Sequence, residues 1–260
     1  MSNEKTDLQK LLENKDFPLS NKYDPQWVVD NQMGPNALWL TEWLCRDMDL
    51  TQGMRVLDMG CGRCLSSVFL AREFGVQVWA SDLWVSATDN WKRICEAGLE
   101  DQIFPIHAEA HSLPYAHEFF DAIVCVDSYI YYGTDDLYLN YFHKFVRRRG
   151  QIGIVVPGLT QDLDGPVPEH LKPFWGQDCW SWHTVEWWRH LWDRTGLVDV
   201  ELGEPMLHGC HVYWQWKKAL NEVGANRWPA EEVKVLEADD GRYMGFVRMI
   251  ARRNQPDRTE

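Results

Sequence analysis

The chain has 260 residues, 45% of them hydrophobic and 25% charged, a globular composition that excludes a disordered or low-complexity protein. Its 26 basic and 39 acidic residues give a formal net charge of −13, which repels phosphate backbones and anionic lipid and argues against nucleic-acid and membrane-surface partners. Seven cysteines in a chain too long to need disulfide staples suit a reducing compartment, and with no apolar run of secretory or membrane-spanning length the expectation is a cytoplasmic protein without membrane insertion.

Residues 1–50 read as an N-terminal helical arm. Leu40, Trp43 and Leu44 recur at helical spacing, and Pro35 suits the first turn of their helix. From Met54 the pattern becomes short apolar runs alternating with helical stretches. Arg55–Met59, Val76–Ala80, Ile103–His107, Ala122–Val126 and Gln151–Val156 read as strands. Cys64–Phe74 and Ala87–Ala97 read as helices ended by Gly75 and Gly98. Asp135–Arg148 reads as a third helix whose last turn carries Arg147 and Arg148, where basic charge opposes the helix dipole. Thr184–Thr195 follows as a helix with Thr184 as its N-cap, then strands Val198–Leu202 and Met244–Ala251. This alternation predicts an α/β fold, a Rossmann-like doubly wound sheet of seven mostly parallel strands. The chain is expected to be one domain over 1–260. Its parts are the arm 1–50, a core 51–157, and insertions 158–182 and 204–243 that close over the site.

Val56-Leu57-Asp58-Met59-Gly60-Cys61-Gly62 is the strongest motif: a strand ends in an acid, and a Gly-x-Gly turn opens a helix. The glycines permit a tight turn and close approach of a ligand to the main chain, and the helix N–H groups face that ligand. A dinucleotide fingerprint would need a third glycine at Leu65, where none stands. Asp82 ends the next strand about 20 residues on, the spacing at which an acid can accept ribose hydroxyls. Glu109, in His107-Ala108-Glu109-Ala110-His111, lies just past the third strand and can accept from an adenine amino group. The fourth strand brings Asp127, Ser128 and Tyr129 to the same edge.

Together these motifs resemble the class I S-adenosylmethionine-dependent methyltransferases, of the subgroup acting on small molecules, over residues 54–157. The resemblance implies that Asp58, Gly60, Cys61 and Gly62 hold the methionine part of S-adenosylmethionine. It implies that Asp82 binds ribose with Leu83 beside adenine. Glu109-Ala110 stands where the family has Asp-Ala, ahead of Leu113-Pro114-Tyr115, and Asp127 completes the cofactor set. The partner it implies is a small-molecule methyl acceptor. His111, Tyr129, Glu169 and His183 are candidate bases, should the acceptor have a proton to lose.

Fifteen tryptophans are unusual, and six fall between Trp175 and Trp192. Val185, Trp188 and Trp192 follow a helical period and suit a core-facing stripe. Trp175, Trp180, Tyr129 and Tyr132 are candidates for the acceptor side, since aromatic faces attract ammonium ions. An amine or aromatic acceptor fits, and a lipid or isoprenoid one is the alternative. A nicotinamide-dependent oxidoreductase and a non-catalytic cofactor sensor are readings from other classes. Cys61-Gly62-Arg63-Cys64 has metal or redox spacing but lies inside the ligand turn, and His208, Cys210 and His211 lack paired spacing, so no metal is expected. The sequence leaves an oligomer possible.

Overall fold

The apolar runs assemble into one seven-stranded sheet, in the order β3-β2-β1-β4-β5-β7-β6. The strands are β1 (Arg55–Met59), β2 (Gln77–Asp82), β3 (Ile103–His107), β4 (Phe120–Val126), β5 (Val146–Leu159), β6 (Val198–Pro205) and β7 (Met244–Arg253). β1 to β5 pair in parallel, and β7 runs antiparallel between β5 and β6. This computed structural model describes residues 7–227 and 231–254. Residues 1–6 of the expected arm and 228–230 of the second insertion lie outside them.

The helices are α1 (Asp7–Leu12), α2 (Pro25–Asn31), α3 (Ala37–Cys45), α4 (Leu65–Phe74), α5 (Ala87–Glu96), α6 (Tyr138–Phe142), α7 (Val185–Asp193), α8 (Gly209–Glu222) and α9 (Glu231–Asp239). β1 is buried over Val56–Met59, as a strand covered on both faces must be. Helix α4 buries Leu65, Val68, Phe69, Leu70 and Ala71, and Gly75 ends it in the left-handed region. The Thr184 side chain accepts from the Trp187 N–H and caps α7, which buries Val185, Trp188, Leu191 and Trp192.

Two local expectations are corrected. Pro35 does not open a helix: Asn36 is the N-cap of α3, its side chain accepting from Leu38 and Trp39 N–H, and Pro35 precedes it. The helix expected over Asp135–Arg148 lasts only through α6 and a 3-10 turn at His143–Phe145. Phe142, Phe145 and Val146 are all buried, and they carry the chain directly into β5. The basic run therefore opposes no helix dipole. Arg147 and Arg148 pair with Asp121 and Glu118, at 3.1 and 3.3 Å.

The two insertions gain structure of their own. The first, after β5, holds a 3-10 turn at Gln177–Ser181 and buries Leu171, Cys179 and Trp182. The second carries α8 and α9. Between them lies a buried ion pair, Lys217 Nζ to Glu232 Oε2 at 2.8 Å, and Tyr213 Oη donates to Glu232 Oε1 at 2.9 Å. No helix among the described residues is long and apolar enough to cross a membrane.

Candidate functional site

The turn after β1 is built by its neighbours. Gly60 and Cys61 N–H both donate to Ser81 O at the end of β2, at 2.8 and 3.1 Å. Gly60 has φ +75°, and a Cβ there would lie 2.3 Å from Ser128 Cβ, so only glycine fits. Ser128 Oγ donates to Met59 O at 2.7 Å, pinning the segment after β4 to the same turn. Cys64 is the N-cap of α4 and sits at φ +63°, a left-handed position for a non-glycine residue.

Asp82 is a clamp on this turn. Its Oδ2 accepts from Gly62 N–H at 2.8 Å, and its Oδ1 accepts from Trp84 and Val85 N–H at 2.7 and 2.8 Å. Asn90 Nδ2 donates to Gly62 O at 2.9 Å from α5. Asp58 lies underneath: it is fully buried and accepts from Ser66 and Ser67 Oγ at 2.7 and 2.5 Å. Burial pushes its carboxyl up to about 6, against those two hydrogen bonds. Its Oδ2 docks α4 against β1 while its Oδ1 has no described partner, and Asp58 is not among the residues that line the cavity above.

That cavity, about 230 Å³, opens at the carboxyl ends of β1, β2 and β4, where open α/β sheets receive ligands. Gly60, Cys61, Gly62, Asp82, Leu83, Glu109, Ala110 and Asp127 line it, as do His111 and Tyr132. Glu109 Oε1 and Oε2 hold His111 through Nδ1 and the backbone N–H, at 2.7 and 2.8 Å. The hydrogen bond from His111 keeps the Glu109 carboxyl below its ordinary value. With Nδ1–H given to Glu109, the His111 Nε2 is left as the proton-accepting nitrogen. Tyr132 Oη meets Ser128 Oγ at 3.0 Å, and burial holds the phenol well above its ordinary value.

Other candidates stand elsewhere. Tyr129 is fully buried, its ring packed on Trp188 and Trp192 with centroids 5.6 and 5.9 Å away. It supports the site from below and lines neither cavity described here. Glu169 lies at the surface, paired with Lys172. His183 stacks on Trp187 at 3.6 Å between centroids, and burial lowers its pKa. Trp180 is 70% exposed and Trp175 is half-buried against the core. Glu169, His183, Trp175 and Trp180 line neither cavity, although Phe174, Asp178 and Trp182 of the same segment wall the second one described below.

The sequence reading passed over the roof. Asn31 at the end of α2, with Met33, Gly34 and Pro35 between α2 and α3, lines the cavity, and α8 holds the turn through Trp216 Nε1 donating to Gly34 O at 2.9 Å. It also passed over Arg63, which lines the cavity and donates to Asp30 O at 2.9 Å. A cation inside the turn, next to the helix N-terminus, was the available signal for an anionic ligand group.

A second cavity, about 220 Å³, adjoins the first. The two share Met33, Gly34, Pro35, Asp127 and Tyr131. Asp127 follows β4 at φ +56°, and burial raises its carboxyl to about 7 although Lys217 pulls the other way. The second cavity is otherwise walled by Phe174, Trp182, Tyr213 and further carboxylates.

A glycine turn after β1, acids at the end of β2 and after β3, and β7 inserted antiparallel between β5 and β6 define the class I methyltransferase fold. Residues 56–150 match the methyltransferase domain family. Over 167 residues the chain is 31% identical to the methyltransferase GfsG of Streptomyces halstedii, an alignment covering 63% of this chain and 59% of that one. The chain spans less than two thirds of the length of the curated relatives it matches. Among solved structures, it superposes on a putative sarcosine dimethylglycine methyltransferase from Galdieria sulphuraria with a TM-score of 0.70, 17% identity, and 94% and 90% coverage of the two chains. A geranyl diphosphate C-methyltransferase from Streptomyces coelicolor, bound to Mg2+, geranyl diphosphate and S-adenosylhomocysteine, gives a TM-score of 0.65 at 14% identity, with 95% and 98% coverage.

Proposed function

We propose that the protein transfers a methyl group from S-adenosylmethionine to a small-molecule acceptor, an amine or an aromatic compound. The observation that carries this reading is the cavity at the carboxyl ends of β1, β2 and β4, with the Gly60–Gly62 turn on one side and the carboxylates of Asp82 and Glu109 on another. When bound, S-adenosylmethionine supplies a sulfonium methyl carbon that an acceptor lone pair attacks as the C–S bond breaks, its electron pair staying on sulfur.

The chain's residues bind, orient and exclude water. Asp82 Oδ1 already accepts from two N–H donors, and Oδ2, which accepts from one, retains a lone pair for a ribose hydroxyl. Glu109 receives the adenine amino group, with Leu83 against the ring. The Gly60–Gly62 main chain and the Arg63 guanidinium receive the methionine end. The residues of the 31–35 roof shield the reacting centre from water, and orientation lowers the barrier by several kcal/mol at least. His111 is the one candidate base that lines the cofactor cavity, with Nε2 available to take a proton.

The neighbours in fold act, by their descriptions, on an amine in one case and a prenyl diphosphate in the other. The fold therefore does not choose the acceptor, and residues of the second cavity must. The deciding experiment is calorimetric titration with S-adenosylmethionine, S-adenosylhomocysteine and NAD. Micromolar binding of the first two without NAD is expected. Binding of NAD alone would return the oxidoreductase reading.

A further inference from the structure

The second cavity is the acceptor side of the proposed methyl transfer, and its walls have a chemistry of their own. Among its described lining residues are four carboxylates, Asp127, Asp178, Glu231 and Glu232, and no Lys, Arg or His. One positive charge stands behind the wall: Lys217, fully buried and ion-paired with Glu232. Lys217 offsets Glu232 and also acts on Asp127, so four carboxylates face one buried cation.

Asp127 is the informative member. Its carboxylate belongs to both cavities and accepts no hydrogen bond from a described donor. It is not crowded out by the roof because the residue opposite is glycine: a Cβ on Gly34 would come within 2.5 Å of its Oδ2. A half-buried carboxylate with no described protein donor, held where the two chambers join, is open to a ligand that supplies a donor or a positive charge. Beside it stand the rings of Tyr131 and Trp182, of the kind that favours a cation, while the Tyr213 ring already holds Lys217 Nζ, 5.2 Å from its centroid.

We propose that this cavity binds the ammonium group of an amine acceptor, with Asp127, Asp178 and Glu231 as its counter-charges and Tyr131, Trp182 and Tyr213 as its walls. The proposal rests on the methyltransferase reading above. Asp127 then sits where the acceptor nitrogen passes from the second chamber toward the methyl-donor chamber. An anionic acceptor would meet four carboxylates against the one cation, Lys217, that stands behind them. A neutral isoprenoid would have to desolvate the same carboxylates without compensation.

The test is calorimetric titration of the full chain saturated with S-adenosylhomocysteine. The probes are choline against 3,3-dimethylbutanol, its neutral isostere, and benzylamine against benzyl alcohol. Geranyl diphosphate is added with and without Mg2+. Each cation is expected to bind roughly tenfold tighter than its isostere. In Asp178→Asn/Glu231→Gln and in Asp127→Asn that preference should shrink several-fold, with S-adenosylhomocysteine affinity retained in the double variant. Asparagine accepts the left-handed backbone of position 127, so the second variant folds. Equal binding of the isosteres, a preference untouched by both variants, tight binding of the diphosphate, or no binding of either cation at millimolar concentration would each overturn the proposal. Failure of S-adenosylhomocysteine itself to bind would instead overturn the methyltransferase reading.

Discussion

A single carboxylate, Asp82, does two jobs, and the second is visible only in three dimensions. By its place after β2 it suits the ribose, and by its hydrogen bonds to Gly62, Trp84 and Val85 N–H it also holds the turn that forms the cavity floor. Asp82→Ala should therefore lose cofactor affinity by more than tenfold and also lower stability. Each charged hydrogen bond lost is worth about 1.5–3 kcal/mol before relaxation. Parallel calorimetry and urea denaturation check this, and weakened binding with unchanged stability would deny the clamp. Gly60 gives a second residue-scale prediction. Gly60→Ala combines a left-handed φ with a Cβ 2.3 Å from Ser128 Cβ. Overpacking alone costs about 1–3 kcal/mol, so a clear drop in the urea midpoint and loss of S-adenosylhomocysteine binding are expected. The sequence made Asp82, Glu109 and Asp127 legible as residues at strand ends, because strand ends announce themselves locally. It did not reveal that Asp58 turns down to Ser66 and Ser67, nor that Tyr129 packs beneath Trp188 and Trp192. Which way a side chain turns is decided by residues distant in sequence.

At the scale of elements, the strands of the core were readable because each is a short apolar run, and α4 because a glycine turn opens it and Gly75 closes it. The helix expected over Asp135–Arg148 was not real, because aromatic residues at helical spacing pack equally well in a short helix that leads into a strand. The site's roof was hidden for another reason: residues 31–35 have no pattern of their own, and partners distant in sequence position them, Trp216 of α8 at Gly34 O and Arg93 of α5 at Asn31 Oδ1. The α8–α9 pair also makes a prediction. Lys217→Met should destabilise the protein by about 3–5 kcal/mol, since it leaves Glu232 charged and buried without its cation. Lys217→Met/Glu232→Gln should recover most of that loss, because the amide oxygen can still accept from Tyr213. Urea denaturation of both variants measures the difference, and a double variant no better than the single one would mean that packing of the Lys217 stem, not charge, is what α8 needs.

For the whole molecule, the buried acids set how stability depends on pH. Asp58 titrates near 6 in the folded protein against an ordinary 3.8, and Asp127 near 7. Well below pH 3.8 both are neutral whether the chain is folded or not, and burial costs nothing on this account. As pH rises through the interval between the ordinary and the folded values, the unfolded chain gives up its protons first, so folding is progressively disfavoured. For Asp58 the loss amounts to about 3 kcal/mol by pH 7, at 1.36 kcal/mol per unit. His143 and His183 act in the opposite sense: burial lowers both, and their contribution falls as pH drops through 6.5. Their shifts are the smaller ones, so the carboxylates decide the slope. The net charge of −13 adds self-repulsion at high pH, in the same direction as the acids. The thermal midpoint is thus expected to rise as pH falls from 8 toward 5. It should then decline in stronger acid, where carboxylates held low, such as Glu201 beside Arg252, lose their partners. In Asp58→Asn/Asp127→Asn the rise between pH 8 and 5 should flatten, with the largest stabilisation over the native chain at pH 8. A native midpoint that climbs steadily to pH 8, or a double variant with the native slope, would place the pH dependence in other groups.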